Sequence, residues 1–251
     1  MRSSYIGAGR PKIVVPVVSK TQEEIFADTL TSVNAGAELI EWRSDFFQDL
    51  SSNQSLLETL KGLREIIGDL PLIFTVRTKQ EGGQVEITDT DYFNLLLFVS
   101  QKQLADLIDV ELFRCKDRPG NLVKAIHNHN SLVLLSNHEF QLTPPKDELI
   151  NRLREMHKLG GDILKIAVMP TNSKDVLTLL SATNEMAVET DKPLVTMSMG
   201  GLGVISRMVG EIFHSSLTFG TVGKSSAPGQ IAIDQLKLCL DIIHNSQIST
   251  Q

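Results

Sequence analysis

Apolar and polar positions along the 251-residue chain follow two alternating periods. Eight short runs rich in Ile, Val and Leu cover residues 13–19, 39–45, 72–78, 107–112, 132–140, 162–168, 194–199 and 217–222. Such runs read as strands buried on both faces, as a parallel sheet requires. Amphipathic or helix-compatible stretches lie between and after them, at 21–35, 54–67, 90–102, 118–129, 146–158, 173–187, 205–213 and 231–244. Eight β-then-α units predict one α/β domain over residues 1–251, a (β/α)8 barrel with a short N-terminal extension, residues 1–12, that caps its lower end. An open eight-stranded sheet has the same local pattern, but the count and the length favour closure. Residues 245–251 read as a fraying polar tail.

One strand carries a charge where charge is least welcome. In Gly161-Asp162-Ile163-Leu164-Lys165-Ile166-Ala167-Val168-Met169-Pro170, side-chain alternation places Ile163, Lys165 and Ala167 on one face and Leu164, Ile166 and Val168 on the other. A buried ammonium must find a partner or lose its proton, and a lysine shifted toward neutrality becomes an amine nucleophile. At an ordinary pKa of about 10.4, only about one lysine in a few thousand is neutral at pH 7.

A barrel concentrates its chemistry at the carboxyl ends of the strands. The second strand ends Glu41-Trp42-Arg43-Ser44-Asp45, where Glu41, Arg43 and Asp45 share a face and a carboxylate and the guanidinium two residues apart are expected to neutralise each other, with Trp42 packing outward. The third ends with Arg77 and runs into Glu81-Gly82-Gly83, and the fourth offers Asp109 and Glu111, either as a supporting network or as barrel structure. The fifth carries His138, placed for proton transfer near neutral pH, whereas His127, His129, His157, His214 and His244 read as solvated or capping. Glycine-rich loops follow the seventh and eighth strands, with Met197 and Met199 as packing beside them. The loops suit an anion, either phosphate or carboxylate, with Arg207 at hand.

Composition narrows the partners. A net charge of −6 gives no basic field for nucleic acid, and there is neither a Lys/Arg run for a membrane surface nor an apolar run long enough to span a bilayer. Residues 1–12 lack the apolar core of a signal peptide. Cys115 and Cys239 match no CxxC or zinc pattern, so a cytoplasmic chain with free, structural cysteines is expected. The expected partner is a small molecule, with no nucleic acid and no membrane.

A desolvated lysine beside a histidine, with several Arg and acid groups and no Cys/His metal cluster, suggests covalent catalysis on a carbonyl. In this order and at these strand ends, Glu41-Trp42-Arg43, Arg77-Thr78-Lys79-Gln80-Glu81-Gly82-Gly83, Ser136-Asn137-His138-Glu139-Phe140, Lys165-Ile166-Ala167, Met197-Ser198-Met199, Ser206-Arg207 and Ser226-Ala227-Pro228-Gly229-Gln230 resemble type I 3-dehydroquinate dehydratase, the Schiff-base enzyme of the shikimate pathway. The resemblance covers essentially the whole chain. It implies a TIM barrel, no metal or cofactor, a homodimer, and syn elimination of water from 3-dehydroquinate to 3-dehydroshikimate. It also implies Lys165 as the Schiff-base lysine, His138 as base and acid, Glu81 orienting it, Arg207 on the substrate carboxylate, and Glu41, Arg43, Arg77, Ser226 and Gln230 on the remaining oxygens. A class I aldolase, or a non-catalytic barrel that binds a metabolite, would share much of this pattern.

Overall fold

The computed structural model describes residues 6–7, 9–114, 119–223 and 225–248. Strands β1 (Lys12–Val17), β2 (Leu39–Arg43), β3 (Leu72–Thr75), β4 (Leu107–Glu111), β5 (Leu132–Glu139), β6 (Ile163–Val168), β7 (Leu194–Ser198) and β8 (Leu217–Thr221) pair in parallel in the order 7-6-5-4-3-2-1-8. The ring closes between β7 and β8 without a ladder, through the Ser216 N–H to the Leu194 carbonyl at 2.7 Å and the Thr196 N–H to the Ser215 hydroxyl at 3.0 Å. Helices α1 (Gln22–Asn34), α2 (Asn53–Ile67), α3 (Asp89–Lys102), α4 (Pro119–His127), α5 (Lys146–Lys158), α6 (Ser173–Glu189), α7 (Gly210–Phe213) and α8 (Ile233–Ile248) alternate with the strands, and a two-residue strand β9 (Ile231–Ala232) adds to β8. This is the expected (β/α)8 barrel.

The two strand faces build two cores. Leu164, Ile166 and Val168 of β6 pack outward under the helices, while Ile163 and Ala167 join an inner cluster with Leu39, Leu107, Val195 and Phe219. Trp42 packs outward with Phe47 and Phe74 in edge contacts. From the amino end Ile6 packs on the inner cluster; of the expected cap, residues 1–5 and 8 lie outside the described residues, and Lys12 opens β1. No helix among the described residues is long and apolar enough to cross a membrane.

The ends of elements depart from the sequence pattern for local reasons. Beyond Thr75 the backbone leaves the sheet and forms a small loop, bridged between Thr78 and Val85, that lifts Glu81 over the barrel mouth on a 3-10 turn. Two glycines make that turn possible. Gly82 has φ +80°, and a Cβ on Gly83 would lie 1.9 Å from the Arg77 carbonyl. The expected helix at 205–213 is instead a 3-10 turn, Val204–Arg207, followed by the four-residue α7. Here the Ser206 hydroxyl takes the Ser198 N–H and donates to the Gly203 carbonyl, bonds that compete with helical ones. The last helix starts at Ile233, because Ile231 and Ala232 pair with β8, and it continues to Ile248, so residues 245–248 are helical rather than a frayed tail. Cys239 on α8 is free and half-buried, whereas Cys115 and residue 118 lie outside the described residues.

Candidate active site

At the carboxyl ends of the strands one cavity is lined by all nine predicted site residues: Glu41, Arg43, Arg77, Glu81, His138, Lys165, Arg207, Ser226 and Gln230. Phe140, Ala167, Met197, Met199 and Phe219 complete much of its wall. Strand register explains the meeting. Lys165 lies level with Ser136 on β5 and Val195 on β7, and His138 lies level with Ala167, one inward position beyond Lys165.

Lys165 is 3% exposed. Its Nζ lies 3.6 Å from Glu41 Oε1 and 3.9 Å from Asp109 Oδ2, and 4.4 Å above the Phe219 ring. Burial pulls its pKa below the usual lysine range. Glu41 and Asp109 resist, while Arg77 and Arg43 add to the lowering. The amine is therefore desolvated yet anchored, closer to its nucleophilic form than a lysine in water. Phe219 was not legible as its floor, since residues 165 and 219 lie on strands that the chain alone does not place face to face.

His138 and Glu81 form a second unit. Glu81 Oε2 accepts the His138 backbone N–H at 3.0 Å and faces its Nδ1 at 2.9 Å, and Oε1 accepts from Asn137 Nδ2 at 3.1 Å. Because Oε2 is an acceptor, Nδ1–H is its matched donor, which leaves the Nε2 lone pair toward the cavity. Burial, then Arg77, Lys165 and Arg43, hold His138 well below the imidazole range. Burial lifts the Glu81 carboxyl to about 8, with Glu111 and Asp109 adding to the rise against Arg77 and Asn137. The carboxyl, raised to about 8, stands above the lowered imidazole, the reverse of their ordinary order, and the two share a proton and titrate as a pair.

The two cavity arginines near β2 and β3 have protein partners. Arg43 is neutralised by a carboxylate two residues away, as expected, and of the two on offer it is Asp45 that forms the bidentate pair, at 2.8 and 2.9 Å. The chain turns after Arg43 into a 3-10 turn that brings Asp45 back, and this frees Glu41 for Lys165 and for the Thr75 hydroxyl at 3.0 Å. Arg77 donates to Asp109 at 2.6 Å and to Glu111 and Ser136 at 3.0 Å each, so Asp109 and Glu111 hold the cavity's wall through Arg77. Glu111 also accepts from the Thr78 backbone and hydroxyl.

Arg207 is different. It is 2% exposed and has no acidic partner among the described residues; Nη2 reaches the Pro228 carbonyl at 3.1 Å, Nη1 faces Met197 Sδ at 3.8 Å, and Nε is unpartnered. Burial lowers it to about 10. The loop over it carries Ser226 and Gln230, tied together by the Gln230 Nε2 bond to the Ser226 hydroxyl at 2.9 Å, and docks through the Gly200 N–H on the Pro228 carbonyl at 3.1 Å. A buried guanidinium with free donors is an anion site. Together these groups offer an amine nucleophile, a neutral base and an anion anchor around one small space. Among the described residues no group of three or more His, Cys, Asp or Glu could hold a metal ion. The other histidines lie off the cavity, four of them bonded to Asp162, Ser100, Thr190 and Glu211.

Comparison with known proteins places this constellation. The family model for type I 3-dehydroquinase matches residues 13–247. The chain is 46% identical to a 3-dehydroquinate dehydratase of Clostridioides difficile (strain 630) over 98% of its length and 97% of the relative. It is 44% identical to that of Salmonella typhimurium, covering 98% of each chain. A crystal structure of the type I enzyme from Clostridium difficile, with covalently modified comenic acid, superposes with a TM-score of 0.93 over 96% of this chain and 95% of that one. A conserved-length match at this identity, on a barrel whose mouth holds a buried lysine, shows that the chain belongs to the type I 3-dehydroquinase family, hydro-lyases of the shikimate pathway.

Proposed function

We propose that residues 1–251 form one catalytic domain that dehydrates 3-dehydroquinate through an imine on Lys165, with His138 moving the protons. The observation that carries this reading is a 3%-exposed amine inside a cavity that also presents the His138–Glu81 pair and the unpaired Arg207. The Lys165 nitrogen adds to the C3 carbonyl carbon, and loss of water leaves a protonated imine. Its electron demand acidifies C2, and His138 Nε2 takes the C2 proton while the electron pair moves toward the imine nitrogen as an enamine. The enamine then expels the C1 hydroxyl, which takes the proton from His138 and leaves as water on the same face. Water hydrolyses the conjugated imine, releasing 3-dehydroshikimate and the free amine, so the net change is loss of one water.

In this reading Glu81 keeps the imidazole tautomer, Arg207 binds the substrate carboxylate under the loop carrying Ser226 and Gln230, and Glu41, Arg43 and Arg77 meet hydroxyl or carbonyl oxygens. Arg77 does so with its remaining donors, since Asp109, Glu111 and Ser136 already occupy several. The family resemblance supports the cytoplasm as compartment and a homodimer as assembly, the latter tested by sedimentation. The chemistry is tested by borohydride reduction with and without 3-dehydroquinate, followed by intact mass and peptide mapping. The expected result is one adduct on the Lys165 peptide with loss of activity, and none in Lys165→Ala, which folds but does not turn over. An active enzyme that yields no adduct would remove the imine.

A further inference from the structure

Asn137 stands on β5 between the inward-facing Ser136 and His138, so its side chain leaves the cavity wall on the helix side, 4% exposed. It nevertheless touches the proton-transfer pair, because the strand end lies against the Glu81 turn: Nδ2 donates to Glu81 Oε1 at 3.1 Å. Its other end, Oδ1, accepts from Arg152 Nη1 on α5 at 2.7 Å. Arg152 is itself fixed, through Nε to Glu148 Oε1 at 2.9 Å and by stacking over the Phe113 ring at 5.3 Å. An amide can present either end, but arginine has donors only. With Arg152 on one side, Oδ1 must face it and Nδ2 must face Glu81. Were the amide reversed, its oxygen would oppose the carboxylate.

We propose that Arg152, a helix residue outside the barrel, is a positioning residue for the dehydration: it locks the Asn137 amide so that Glu81 keeps its donor and holds the His138 ring in place. This rests on the reading of Glu81 and His138 as the proton-transfer pair. The groups around the pair are Arg77 from the end of β3, Asp109 and Glu111 from β4, and Lys165 and Arg43 acting on His138 from β6 and β2; Glu148 faces Arg152. Against the burial of Glu81, Asn137 supplies a neutral side-chain donor, alongside Arg77's charge and the His138 backbone N–H. Losing it raises the affinity of the pair for its proton, and the base form then needs a higher pH.

The test is the pH profile of kcat/KM for Arg152→Met, Arg152→Lys, Asn137→Ala, the Arg152→Met/Asn137→Ala double variant and Glu81→Gln. Methionine retains a long stem over Phe113 without a donor. Arg152→Met is expected to move the acidic limb upward by roughly half to one pH unit and lower kcat at neutral pH by about three- to tenfold, with KM within about twofold. Arg152→Lys should recover part of this, and the double variant should be no worse than Asn137→Ala, because both act through one bond. An acidic limb unmoved in Arg152→Met and Asn137→Ala, or a double variant whose losses multiply, would overturn the proposal. Should Arg152→Met fail to fold, Arg152→Lys and Asn137→Ala decide it by the same shift. Glu81→Gln separates the two levels: if it leaves the profile unchanged, the pair itself is misassigned, whereas a Glu81→Gln shift without an Arg152 effect refutes the relay alone.

Discussion

Arg77 and Arg207 look into the same cavity and are both withdrawn from water, at 3% and 2% exposure, but the walls behind them are opposite in kind. Behind Arg77, β4 supplies Asp109 and Glu111, and Glu81 stands 3.6 Å away. Those carboxylates outweigh the cost of burial and hold the guanidinium above its ordinary range. Among the described residues Arg207 is met only by a thioether and a carbonyl, and burial pulls it down to about 10. The same side chain is thus a structural counter-charge on one wall and an unmet demand for an anion on the other. Identity of residue type does not assign the role; the partners do.

The sharpest way to break this comparison is to remove both charges in turn. Arg77→Met leaves Asp109 and Glu111 as unpaired buried carboxylates. It should destabilise the fold by about 3–5 kcal/mol at neutral pH, read by denaturant unfolding. If the variant instead loses only substrate affinity, Arg77 belongs with Arg207 and the two walls do not differ.

Arg207→Met should do the reverse. Removing a lone buried charge is expected to leave the unliganded protein as stable or more stable, by roughly 1–2 kcal/mol, while KM rises roughly ten- to a hundredfold from the lost charge-assisted bonds. A carboxylate ligand at a hundred times its Kd stabilises the wild type by about 2.7 kcal/mol, and that gain should disappear in the variant. A thermal shift on ligand addition that survives Arg207→Met would place the carboxylate elsewhere.

How much of this contrast could be read from the chain follows from what sequence encodes. Strand runs, the face of Lys165 and the carboxyl-end rule are local, and they point to Lys165, His138, Glu41, Arg43 and Arg77, while the family resemblance supplies Ser226 and Gln230 and the site roles of Glu81 and Arg207; the nine line one cavity. The partners of each charge are not local. Asp109 lies 32 residues after Arg77, and only the β3–β4 pairing puts them 2.6 Å apart, so sequence left Asp109 and Glu111 undecided. Strand alternation offers Arg43 both Glu41 and Asp45; the 3-10 turn at Ser44–Phe46, which the alternation does not show, selects Asp45 and leaves Glu41 to Lys165. The motif around His138 shows no task for Asn137, since its amide is oriented by Arg152 on the next helix.

The smallest effect probes the acid side at Lys165. The Thr75 hydroxyl donates at 3.0 Å to Glu41 Oε1, the same oxygen that lies 3.6 Å from the Lys165 amine. While Thr75 shares that oxygen, less of its charge is available to hold a proton on Lys165. Thr75→Val is close in shape, deletes the donor and should cost about 1 kcal/mol of stability. Glu41 then favours the ammonium more strongly, opposing the burial that lowers Lys165. A base whose pKa rises needs a higher pH to present the same fraction of free amine. The rate of imine trapping by borohydride should therefore fall about threefold at neutral pH and recover as pH rises, its limb displaced upward by about half a unit. An unshifted limb would mean that Asp109, at 3.9 Å, rather than Glu41 sets the lysine's proton affinity, and the acid-rich wall would then control both the counter-charge and the nucleophile.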